Sequence, residues 1–324
     1  MLKNYTIPMK RILCALSLLL LITACDDGNL TVDVIDFSEV TANKCSTKDV
    51  IYKVKDGEML FIEIPASAFP ADVTPDGVPI QVAINSTNKV TYRKYDGDVS
   101  ANNICPTVPD ATPNLKEEWN ATAGTIQITS TAVKSTNSTD NSTRITGYTY
   151  NIVFKNITFQ KPTGPQVYET FVFGNYATTV SQLAFGFNHE VDKSACSNKV
   201  YDFSGGEVFT LDVADYDVLF ASEVTTTPRT RLISATNKLS YRLYSGTITD
   251  DYFCAVTIPT TPTLSQQWDA VDGIEATSGI IEVNTTSLGS DFLHTIRLKK
   301  VTLKKGNSEF SLGDDYLFGT LITN

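Results

Sequence analysis

The chain reads as an all-β protein of two tandem β-sandwich domains, each with one short helix, and three observations carry that reading. Of its 324 residues 43 are Thr, 26 Val and 23 Ile, and β-branched side chains at that density suit pleated, half-buried strands. Apolar and polar residues alternate over short runs that end in Gly, Pro, Asn or Asp, the pattern of sandwich strands and their turns. The chain also repeats itself: Asn88-Lys89-Val90-Thr91-Tyr92-Arg93-Lys94-Tyr95-Asp96-Gly97 returns as Asn237-Lys238-Leu239-Ser240-Tyr241-Arg242-Leu243-Tyr244-Ser245-Gly246. At that offset of 149 Cys105 meets Cys254, Thr112-Pro113 meets Thr261-Pro262, Leu115 meets Leu264 and Trp119 meets Trp268. A period this long makes each copy a domain rather than a solenoid repeat. The 42% apolar content argues against a wholly disordered chain. A sequence pI near 4.7 with net charge −10 argues against a nucleic-acid partner, whose phosphates require a basic face.

From the N-terminus, Lys10 and Arg11 precede an uncharged run from Ile12 to Cys25, short for a bilayer-spanning helix and proportioned like a signal peptide. It ends in Ile22-Thr23-Ala24-Cys25, which resembles a bacterial lipobox. The resemblance implies cleavage after residue 24, acylation of Cys25, palmitate included, and anchoring of the mature chain in a membrane by lipid. Asp26 and Asp27 follow Cys25. They resemble the export signal of Bacteroidota surface lipoproteins, which implies an outer-membrane, surface-facing location; in enteric bacteria an Asp in the next position resembles an inner-membrane retention signal instead. Met9 directly precedes Lys10 and is an alternative start. Loss of residues 1–24 removes Lys3, Lys10 and Arg11 and no acid, so the net charge falls to −13. The expected organisation is a signal peptide at 1–24, an acidic tether at 25–28, and repeats at 29–178 and 179–324, coupled closely because no Pro- or Gly-rich linker separates them.

Within each copy Val90 and Tyr92, or Leu239, Tyr241 and Leu243, form the core face of one strand. Arg93 with Tyr95, and Arg242 with Tyr244, lie on the opposite face. That face is either a structural cation–π pair or a surface for interaction. Ile152 and Phe154 occupy even positions, then Ile157 and Phe159 odd ones, and Ile296, Leu298, Val301 and Leu303 repeat the switch. Such a parity change predicts β-bulges near Lys155-Asn156 and Lys299-Lys300. Thr-Pro followed by Leu and Trp four residues apart predicts one short helix per copy, after Thr112 and after Thr261. Trp119 and Trp268 are then either core plugs or stacking platforms for sugar rings. The Asn-, Ser- and Thr-rich stretch 130–143, shortened in the second copy, reads as an exposed loop.

Four cysteines remain after Cys14 is removed with the signal and Cys25 is acylated. The duplication selects the pairing Cys45 with Cys105 and Cys196 with Cys254, bonds that a cell-envelope location permits. His189 and His294 have no counterparts across the copies, so a His-based triad or metal centre is poorly supported. Glu117-Glu118, Asp250-Asp251 and Asp314-Asp315 do not recur as pairs, and solvated charge explains them better than glycosidase chemistry. Asp212, Asp215 and Asp217 read as a turn or as calcium ligands without EF-hand spacing. No cofactor or metal is expected. The functional expectation is a non-catalytic surface lipoprotein that binds or adheres, with glycan as one ligand class. A structural accessory subunit with an envelope-protein partner is the alternative, and a hydrolase is less favoured.

Overall fold

The computed structural model describes residues 34–254 and 260–324. The signal peptide, Cys14, Cys25 and the acidic tether lie outside the described residues. Phe37–Asn324 cluster as one compact unit.

The first copy contains β1 (Asn43–Lys44), β2 (Val50–Lys55), β3 (Glu58–Glu63), β4 (Ile80–Ala83), β5 (Lys89–Tyr95), β6 (Leu115–Thr136), β7 (Thr143–Lys161) and β8 (Gly164–Thr179). The second contains β9 (Asp192–Lys193), β10 (Lys199–Ser204), β11 (Glu207–Val213), the single helical turn α1 (Tyr216–Leu219), β12 (Arg229–Leu232) and β13 (Asn237–Tyr244). It continues with β14 (Leu264–Ala270), β15 (Ile280–Leu288), β16 (Asp291–Lys299), β17 (Thr302–Lys305), β18 (Ser308–Ser311) and β19 (Tyr316–Thr323). The fold is all-β and sandwich-like; among the described residues the ladders between strands are antiparallel, and none joins a strand of one copy to a strand of the other.

The copies share a plan but divide it differently. In the second, β14 pairs with β13 and β17 in one sheet while β15 pairs with β12 and β16 in another. In the first, β6 performs both tasks without a break, pairing with β5 through Leu115–Asn120 and with β4 through Thr125–Ile128. Strands that pass between layers turn the corner by a local bulge or bend. On β7, Thr125 faces Lys155 but Ala123 faces Thr158, so β7 carries one residue more than β6 at the predicted place, with Asn156 at φ 51°. Ile152, Phe154, Ile157 and Phe159 consequently all reach the core. In the second copy Lys300 adopts φ 50°, and there the strand stops at Lys299 and resumes at Thr302 instead of bulging. Ile296, Leu298, Val301 and Leu303 are fully buried all the same.

Two expectations need correction. Thr112-Pro113 and Thr261-Pro262 begin no helix: both peptide bonds are cis, and the residues that follow enter β6 and β14. A spacing of four satisfies the two-residue period of a strand as well as a helical turn, and Trp119 and Trp268 are buried from strands. The described helical pieces are α1 and three 3-10 turns, at Ala66–Ala68, Ala101–Asn103 and Asp250–Phe253. Nor is 130–143 a loop, since β6 runs to Thr136 and β7 starts at Thr143, making the stretch the tip of a hairpin whose counterpart in the second copy, β15 with β16, is shorter.

That hairpin fastens one copy to the other. Asp314 donates its backbone N–H to Asp140 O at 2.8 Å, Asn141 Nδ2 reaches Asp314 Oδ2 at 2.6 Å, and Ser311 N–H donates to Thr143 Oγ1 at 2.8 Å. A second fastening is Asp72, between the first 3-10 turn and β4. Its carboxylate accepts from Asn307 N at 3.0 Å, Ser308 N at 2.8 Å and Ser308 Oγ at 2.7 Å, and from Val73 N within its own copy at 2.8 Å. Gly306, at φ 57°, makes this approach possible, because a methyl group there would overlap the carboxylate.

One buried position carries opposite charges in the two copies. Lys53 faces Leu60 across β2 and β3 as Asp202 faces Phe209 across β10 and β11. Lys53 Nζ donates to Phe37 O at 2.9 Å, whereas Asp202 Oδ2 accepts from His189 N at 3.0 Å. Each thus holds the backbone of the segment leading into its copy.

Candidate functional site

The duplicated side chains are largely engaged within the fold. Arg93 Nε donates to Glu118 Oε2 at 2.7 Å, and its guanidinium lies 5.0 Å from the Phe61 ring centre. Arg242 Nε donates to Gln267 Oε1 at 3.2 Å. Tyr95 packs against the cluster of Cys45, Met59, Val99 and Ile104, under the disulfide-bearing segment. Tyr244 is buried with Val208 and Ile248, and its hydroxyl meets that of Tyr252 at 2.6 Å. Burial, reinforced by Tyr252, pushes the Tyr244 hydroxyl up to about 12. Each Trp is 3% exposed, gives its indole N–H to the side chain two residues earlier, Glu117 or Gln266, and carries a lysine over its ring: Lys161 on Trp119 at 4.8 Å, Lys305 on Trp268 at 4.9 Å.

Cys45–Cys105 and Cys196–Cys254 are disulfide-bonded, with Cα atoms 5.3 and 5.7 Å apart. The acids are dispersed. Asp215 bonds to Arg231, Asp315 to Arg297 and Lys299, and no group of three or more His, Cys, Asp or Glu suited to a metal occurs among the described residues. His294 is buried between the hydroxyls of Thr285 and Thr323, where burial and then Arg229 hold its pKa below the usual value. His189 Nδ1 meets Phe318 O at 3.2 Å.

The place where unused polar chemistry collects is the junction. A cleft of about 60 Å³ is lined by Arg144 and Tyr148 of the first copy, by Ser181 and Leu183 of the join, and by Gln266, Trp268, Lys305 and Phe310 of the second. β7 supplies Arg144 from the longer hairpin of the first copy, β14 supplies Gln266 and Trp268, and Lys305 ends β17. The Arg144 guanidinium lies 4.5 Å from the Phe185 ring centre and 5.4 Å from that of Phe310. Its Nη1 donates to Thr143 O at 2.7 Å and Ser311 O at 3.2 Å. Burial lowers the pKa of both cations, an effect that nearby acids and tyrosines only partly offset. Foremost among those around Arg144 is Tyr316, whose hydroxyl is buried without a hydrogen-bond partner among the described residues.

Sequence reasoning found the duplicated residues because repetition exposes them. It missed Arg144, Lys305 and Asp72, whose proximity comes from packing one copy on the other. The only linear signal was that 130–143 has no full counterpart in the second copy. Comparisons with protein-family models, curated proteins and solved structures find no match.

Proposed function

We propose that the mature chain is a lipid-anchored lipoprotein of the cell envelope, displayed at the outer-membrane surface, with a non-catalytic binding or adhesive role in which glycan is the leading ligand class. The observation that carries the binding part is the junction cleft, where hydrogen-bond donors and aromatic side chains from both copies converge without a lining acid or histidine. Such a lining suits recognition of an acceptor-rich group. The lipobox-like Cys25 and the two disulfides support the envelope location. The test is cross-linking on intact cells with identification of captured molecules, alongside protease shaving. Captured saccharide and cleavage in intact cells support the reading. Capture of a single envelope protein without saccharide, or protection that disappears on lysis, contradicts it.

One observation favours the accessory-subunit reading instead. The outer edge of the 16-residue β8 pairs with no other strand among the described residues, and Val167 and Val172 are 65% and 64% exposed. Long open edges are templates for another chain.

A further inference from the structure

We propose that the junction cleft is a carboxylate-binding site, with Arg144 and Lys305 as its two cationic walls; applied to an acidic sugar, this rests on the glycan reading above. Among the described residues Lys305 Nζ has no hydrogen-bond or ion-pair partner, and Arg144 has none for Nε or Nη2. Gln266 spends its oxygen on the Trp268 indole and keeps its amide N–H groups. The polar side chains of this wall therefore present mainly donors, and they call for an acceptor.

The acids nearby are committed elsewhere. Asp72 is occupied by Val73, Asn307 and Ser308. Glu207 accepts the backbone N–H groups of Ala184, Phe185 and Gly186 together with the Tyr241 hydroxyl. Asp140 receives Ser142 N. Two partly desolvated cations without a contacting counter-ion among the described residues are costly, and an oxyanion placed between them relieves that cost. Size narrows the ligand. Pockets for whole small molecules run to roughly 300–1,000 Å³, whereas this one measures about 60 Å³. It admits one functional group and leaves a sugar ring outside. The lysine on tryptophan is duplicated and structural; Arg144 and the convergence of two cations are not duplicated.

The mature chain with Cys25→Ser, titrated with glucuronate, acetate and glucose while the two indole N–H resonances are followed by NMR, tests this. Glucuronate shifts the Trp268 resonance in a saturable way, while Trp119, remote in sequence and in the other copy, serves as the internal reference. Lys305→Met keeps an apolar stem on Trp268 and weakens carboxylate binding roughly tenfold, the loss of one charge-assisted hydrogen bond, with the melting temperature serving as a check on folding. Glucuronate much tighter than acetate identifies an acidic sugar as the source; equal affinities identify a free carboxylate. Failure of both to move Trp268, glucose matching glucuronate, or unchanged affinity in a folded Lys305→Met protein overturns the site. Saccharide capture on cells with no carboxylate response would overturn this inference and leave the glycan reading standing.

Discussion

Replacing Asp72 with Ala should loosen the second copy from the first. The substitution removes the acceptor for Asn307 N, Ser308 N and Ser308 Oγ, all more than 230 residues away in sequence. A hydrogen bond to a charged acceptor contributes about 1.5–3 kcal/mol. Three that share one carboxylate are not additive, so the expected loss is about 3–4 kcal/mol. The pH dependence has a definite sign. Burial raises the Asp72 pKa, but the Ser308 hydroxyl and the backbone N–H groups outweigh it and the net shift is downward. The contribution is therefore present above the ordinary carboxylate range and lost as pH falls through the depressed folded value. The chain provides its own probes, since Trp119 reports on the first copy and Trp268 on the second. Urea titrations of Trp119→Phe and Trp268→Phe backgrounds should give coincident transitions when Asp72 is present, and an earlier Trp268 transition after Asp72→Ala. An unchanged midpoint and slope in the Asp72→Ala protein would refute the reasoning.

Two further outcomes follow from buried groups. Opening either disulfide by a Cys→Ser pair, with sequence separations of 60 and 58, should cost about 4 kcal/mol on the chain-entropy account, read from chemical denaturation. Asp202 titrates at about 6, raised chiefly by burial and further by Asp192. The folded state thus binds the proton more tightly than the unfolded one, and stability attributable to this group falls as pH rises from about 4 to about 6. Asp202→Asn should flatten that decline, worth at most about 3 kcal/mol; a wild-type and variant difference that stays constant from pH 4 to 7 would contradict it.

The sequence revealed most where the physics is local or repeated. Alternation placed Val90, Tyr92, Leu239 and Tyr241 in the core, and parity located the corner at Asn156 and Lys300. The Leu–Trp spacing after Thr112 and Thr261 does not separate helix from strand, because four residues is a multiple of the strand period. The hairpin 130–143 reads as a loop in the sequence because exposed strands and loops draw on the same Thr, Ser and Asn. The junction was illegible for a different reason: its ladder-free contacts join residues such as Asp72 and Ser308 only after both copies have folded.

The reversed charge at Lys53 and Asp202 bears on how tandem copies avoid exchanging parts. Neighbouring copies of one fold in one chain invite domain swapping, in which the leading segment of one copy docks on the sandwich of the other. Here a swapped docking would set the Phe37 carbonyl against the Asp202 carboxylate and the His189 N–H against the Lys53 ammonium. Acceptor would face acceptor and donor would face donor, both out of water, so each segment carries an address that only its own copy reads.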